Sequence, residues 1–135
     1  MSIAQPGDQT RSRREITTDR IEQFADITGD DNPLHLDPEY AATGLFDGRI
    51  SHGMLAAGVI SSALAKLPGD IIYLSQDLSF EQPVYPGETV TATANVVEAL
   101  GDNQFRVETI ARTDDGVVVD GEATVLALAR DEAAD

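Results

Sequence analysis

Apolar positions along the chain change period near residue 70, and the change divides it into a helical half and a stranded half. In TTDRIEQFADITGD, residues 17–30, Ile21, Phe24 and Ala25 fall on one face of a helix. Thr18 or Asp19 is placed to cap its start and Gly29 to end it. A second, shorter helix is expected at LDPEYAA, where Asp37 suits an N-cap and Pro38 takes the first helical position, whose N–H has no partner to lose. DDNPLH between the two reads as a tight polar connection. After a loop rich in glycine comes MLAAGVISSALAKL, residues 54–67, apolar or small on almost every face and stopped by Pro68 and Gly69. Such a segment predicts a buried helix.

From Ile71 onward, alternation and β-branched residues predict strands over 71–80, 88–100, 104–113 and 117–129. Their separators hold Pro, Gly, Asn and Asp where reversals need them, so the last three are expected to form an antiparallel meander. The resulting fold class is α+β, an antiparallel sheet wrapped around one central helix. Residues 1–14 show no periodicity and read as a mobile leader, with one domain over 15–129 and a disordered tail over 130–135.

Composition narrows the chemistry. There is no cysteine, which removes disulfides, thiolate metal sites and cysteine nucleophiles together. The 24 acidic and 9 basic residues leave a net charge of −15, and eight of the nine cations are arginine, Lys66 being the exception. A surface of that sign repels nucleic acid and anionic lipid, so neither is an expected partner. Adaptation to a salt-rich cytosol is the sharper reading of the acidity and a merely solvated surface the bland one; the first is preferred here. No apolar run reaches the roughly 20 residues of a membrane span, and MSIAQPGDQTRSRRE lacks a signal-like apolar stretch, so a cytoplasmic protein is expected.

The block GDDNPLH, residues 29–35, closely resembles the signature of the MaoC-like dehydratases, the (R)-specific enoyl-CoA hydratases. Gly29, Asp30, Asn32, Pro33, Leu34 and His35 all match that pattern, and Asp31 takes its variable position. ISHGM at 50–54 and FEQPVYPGETV at 80–90 also resemble that family, so the likeness runs over about residues 15 to 128. It implies the hot-dog fold, a homodimer and an acyl-CoA thioester substrate, with no metal and no cofactor beyond the coenzyme A of the substrate.

Hydrating an enoyl thioester needs a base for the attacking water and an acid for the α-carbon, and one carboxylate with one imidazole can serve both needs. By the resemblance, Asp30 activates the water and His35 completes the proton transfer. The rigid Asn-Pro bend between them would let the two side chains converge. Asn32 is expected to orient the pair, Gly53 to donate its backbone N–H to the enolate-like oxygen at a helix start, Ser61 to line the acyl pocket, and His52 to hold the SHGM turn. Arg49 is a candidate contact for a coenzyme phosphate, with an ordinary ion pair as the alternative.

The bland alternatives are a helix-end Asp and Asn and a packed core histidine; six matches in seven residues favour the catalytic reading. A metal site at Asp30, Asp31, His35 and Asp37 is disfavoured, because the spacing matches no HExxH or EF-hand pattern. A hot-dog acyl-CoA thioesterase and a non-catalytic acyl-thioester-binding subunit remain the rival functions.

Overall fold

The computed structural model describes residues 3–130, so the first two residues of the expected leader and 131–135 of the expected tail lie outside the described residues. Six strands and four helices follow in the order β1 (Gln9–Glu15), α1 (Thr18–Thr28), α2 (Pro33–Leu36), α3 (Pro38–Ala42), α4 (Gly53–Leu64), β2 (Asp70–Gln76), β3 (Ser79–Phe80), β4 (Thr89–Gly101), β5 (Gln104–Thr113) and β6 (Gly116–Leu128). All pairings are antiparallel, in the order β1-β4-β5-β6-β2, with β3 also on β6. The sheet curls around α4, which is the hot-dog layout, and the expected β4-β5-β6 meander is present.

Alternation builds the core. In β4 every second residue from Val90 to Val96 is buried, and Ala92 and Ala94 leave room for the helix to lie close. Val59, Ile60, Ala63 and Leu64 of α4 fill the concave face together with Val107, Val119 and Val125. The reversal after β4 uses Gly101, Asp102 and Asn103, all at positive φ (92°, 54° and 61°), the conformation that Gly, Asn and Asp tolerate best.

The N-terminal segment corrects the expectation of a mobile leader. Residues 9–15 form β1, paired with Thr89–Asn95 of β4, and Ala4 is buried. Hydropathy hid this strand because its inward residues are hydroxylic. Ser12 shares a 2.7 Å hydrogen bond with Ser62, and Thr10 donates to the Ala63 carbonyl at 2.6 Å, so α4 satisfies both. The outward Arg11 and Arg13 keep the edge of the sheet soluble.

Smaller departures have equally local causes. Thr17, one residue earlier than expected, caps α1 by accepting from the Arg20 N–H; Gly29 ends it at φ 79° as expected. DDNPLH is not a bare connection: Pro33–Leu36 makes a single helical turn capped by Asn32. Asp37 caps α3 through the Glu39 and Tyr40 amides, as expected. The strand expected over 71–80 breaks at Asp77, whose N–H donates to the Glu122 carbonyl while its carboxylate accepts from the Glu122 amide. Gly121 faces the Asp77 carbonyl so closely that a β-carbon would overlap it. Nor is α4 buried all round: Met54, Gly58 and Ser61 form an exposed stripe at helical spacing.

Candidate active site

Three segments meet at the N-terminal end of α4. The turn after α1 brings Asp30, the single turn of α2 brings His35, and the start of α4 brings His52 and Gly53. One polar side-chain atom from each of Asp30, His35 and His52 lies within 4.8 Å of the other two. The sequence expectation for Asp30 and His35 is therefore met in its geometry: they converge.

Backbone carbonyls fix the imidazoles. His35 Nδ1–H donates to the Ile50 carbonyl at 2.7 Å, which in the neutral ring puts the lone pair on Nε2. His52 Nε2–H donates to the main-chain carbonyl of Asp30 at 2.9 Å. The two rings lie 4.0 Å apart between centroids, tilted by 30°, and Phe24 rests on His52 at 4.8 Å. Asp30 is exposed and His35 half-buried, whereas His52 is buried. These three residues offer a carboxylate and two imidazoles to a cation, but one nitrogen of each ring already serves a carbonyl, so a metal would have only the remaining ones.

Asn32 accepts the Leu34 N–H at 3.0 Å, so it starts the turn that carries His35. Its place is in the backbone turn between Asp30 and His35. Gly53 is the first residue of α4, and no side chain caps that end, so its amide has no partner inside the helix. A β-carbon there would stand 2.7 Å from the Phe80 ring, which makes glycine the residue that fits between α4 and β3. His35, His52, Gly53, Phe46, Ile50 and Phe80 are among the residues lining a cavity of about 500 Å³, mostly apolar, with Glu81 and Gln82 as further polar residues of its wall. A nonpolar acyl group with a polar reacting end has matching chemistry.

Two further candidates lie outside the wall of this cavity. Ser61 does not line this cavity; it faces a second one with Tyr73, Leu74 and Gln76 of β2. Eight residues of helix separate it from Gly53, about 12 Å of axial rise, and the two cavities share Met54 in their walls. Arg49 donates to the Leu36 carbonyl at 3.1 Å and sits 3.9 Å from Glu22, with only 17% of its side chain exposed. It braces α2 against α1, in line with the ion-pair alternative for this residue. Phe24 was read from sequence only as part of the apolar face of α1, and Phe46 and Phe80 were not singled out as site residues, because isolated aromatics in loops and short strands carry no spacing signal.

The model of the MaoC like domain matches residues 3–119, which spans β1 through the start of β6 and every residue of this site. The chain belongs to that family. Among its MaoC-like relatives, an (R)-specific enoyl-CoA hydratase of Rhodospirillum rubrum is 41% identical over 127 residues, covering 92% of this chain and 88% of the relative. The (R)-specific enoyl-CoA hydratase of Aeromonas caviae is 40% identical over 123 residues, covering 88% and 92%. Among solved structures, the unliganded R-hydratase PhaJ1 of Pseudomonas aeruginosa superposes with a TM-score of 0.86 at 39% identity, over 93% of this chain and 83% of that one. The A. caviae (R)-hydratase superposes at 0.84 with 36% identity, over 94% and 97%.

Proposed function

We propose that this MaoC-like protein is an (R)-specific enoyl-CoA hydratase, adding water reversibly to a trans-2-enoyl-CoA to give the (R)-3-hydroxyacyl-CoA. The observation that supports the reading is His35, whose Nδ1–H is committed to Ile50 so that Nε2 is the nitrogen left to act, in a cluster where polar atoms of His35, Asp30 and His52 lie within 4.8 Å of one another. A water held there gives one hydrogen to the Asp30 carboxylate and the other to His35 Nε2, which aims its lone pair at the β-carbon. As the C–O bond forms, one water proton passes to the pair, and a proton from the pair goes to the α-carbon. The Gly53 N–H, at the positive end of the α4 dipole, stabilises the thioester oxygen while it carries charge. No atom is left over: water's O–H and H end on adjacent carbons, and the pair returns to its starting state. Incubation with crotonyl-CoA tests the reading through loss of enoyl absorbance without release of free thiol; thiol release would instead indicate a thioesterase, and no change a binding subunit.

A homodimer is part of the same proposal. β2 is an edge strand, and its Ile72, Tyr73 and Leu74 are 45%, 42% and 48% exposed, beside Met54 at 56% on α4. An unpaired edge with that much apolar surface is completed by a second copy across a twofold axis. Sedimentation at micromolar concentration should give twice the 14.4 kDa chain mass, and a particle of the single mass would overturn the dimer.

Salt-dependent stability and a cytoplasmic location complete the proposal; no helix among the described residues is long and apolar enough to cross a membrane. The net charge of −15 repels both itself and the phosphates of coenzyme A. Raising the ionic strength to about 1 M shortens the screening length to roughly 3 Å. Melting temperature should therefore rise and the apparent KM fall along a potassium chloride series. Flat or falling values in both would show the acidity to be no more than a solvated surface.

A further inference from the structure

His52 was expected to hold the turn at the start of α4, but its side chain makes no hydrogen bond to that helix. It reaches across to the chain that carries Asp30, and its Nε2–H meets the Asp30 carbonyl at 2.9 Å. One side of its ring faces His35 at 4.0 Å, and Phe24 packs on it at 4.8 Å. The residue is 2% exposed, and its Nδ1 is buried without a hydrogen-bond partner among the described residues. In sequence it immediately precedes Gly53, so its backbone is rigidly joined to the amide at the helix start.

We propose that His52 is a positioning residue, held as the Nε2–H tautomer, that fixes the Asp30 main chain and the His35 ring plane in register with the Gly53 amide. This deepens the hydratase reading and rests on it. The two groups proposed to handle protons come from the segment between α1 and α3, whereas the amide proposed to receive charge belongs to α4. His52 is the side chain that ties the two elements together at the site itself. Only a donor at Nε2 satisfies the Asp30 carbonyl, and a hydrogen placed on Nδ1 instead would leave that carbonyl facing a lone pair. Phe24 and His35 both pack against the ring, and these contacts restrict its rotation. Misplacing a reacting group by about 1 Å can cost a hundredfold in rate without touching the chemistry, so loss of this tie should appear in turnover before it appears in substrate binding.

Two substitutions separate the hydrogen bond from the packing. In Gln the amide nitrogen stands as many bonds from the β-carbon as Nε2 does in His, so His52→Gln retains the donor. His52→Phe retains the ring and its stacking and removes the donor. The expected result is a kcat for His52→Phe about tenfold to a hundredfold below wild type with KM changed less than about threefold, and recovery in His52→Gln to within about threefold of wild type. Rates are taken per folded molecule, so a purely structural role would lower stability and leave kcat in place. A His52→Phe kcat within twofold of wild type, or no recovery in His52→Gln, would overturn the proposal.

The second measurement does not depend on any variant folding, nor on the hydratase reading. The chain has two histidines, both in this site, so nitrogen-15 spectra of the untagged protein contain two imidazoles. Opposite tautomers are expected, Nε2–H for His52 and Nδ1–H for His35. An Nδ1–H tautomer at His52 contradicts the proposal even if crotonyl-CoA is hydrated; the expected pair of tautomers supports it even in a protein that fails to hydrate.

Discussion

Replacing Asp30 with Asn, or His35 with Ala, is expected to lower kcat at least about a hundredfold, the lower end of what a positioned general acid or base contributes. Neither change should unfold the protein. The Asp30 side chain is exposed, and the hydrogen bonds that place the residue belong to its backbone: its N–H donates to Thr28 Oγ1, and its carbonyl accepts from His52. His35 lies outside the apolar core, so its removal sacrifices one hydrogen bond to Ile50 and a ring contact. Because both residues are proposed to act on one water, their effects should not add, and the double variant should be little slower than the worse single one. Steady-state rates with crotonyl-CoA, alongside far-ultraviolet circular dichroism for folding, check this. Near-normal turnover in either single variant would remove that residue from the chemistry.

The largest effect on stability should come from Ile60→Ala. Ile60 is fully buried at the centre of α4, where it meets the concave face of the sheet. Shortening it removes buried methyl groups and leaves a cavity that rigid strands on several sides cannot fill, at a cost of about 2–5 kcal/mol. For a domain of this size that corresponds to a fall in melting temperature of roughly 6–20 °C. Ile27→Ala is the matched control, since the same side chain is 82% exposed on α1 and its loss should stay within about 0.5 kcal/mol. Both melts need equal protein concentration, because a dimer's melting temperature depends on it. A similar melting temperature for the two variants would mean that α4 is not the centre of the core.

The parts of the fold that could be read from the sequence were those in which side-chain polarity and burial coincide. Val90, Ala92, Ala94 and Val96 alternate with polar residues, so β4 announced itself, and Gly29, Asp37 and Pro38 mark helix ends with residues whose backbone preferences are strong. β1 broke that coincidence: Thr10 and Ser12 point inward but satisfy their hydroxyls on α4, and no hydropathy pattern distinguishes that from a polar leader. The break between β2 and β3 depends on the fit of Asp77 against Gly121 and Glu122, a contact across more than forty residues. At the site, the spacing of Asp30 and His35 was informative because the Asn-Pro turn between them is local. The placement of Ser61 in a neighbouring cavity was not, since a resemblance matches positions along the chain and does not say which surface a helix presents. His52 illustrates the same limit: its neighbours in sequence suggested a turn, whereas its ring serves a carbonyl 22 residues away.

The central claim is that this site adds water to the double bond and delivers it with one handedness. Crotonyl-CoA incubated with the untagged protein in about 1 M potassium chloride, with the product resolved by chiral chromatography after thioester hydrolysis, measures that directly. The account predicts (R)-3-hydroxybutyrate in the amount by which enoyl absorbance falls, with no free thiol before hydrolysis. Recovery of the (S) product, or of unreacted crotonate together with enzymatically released thiol, would contradict it.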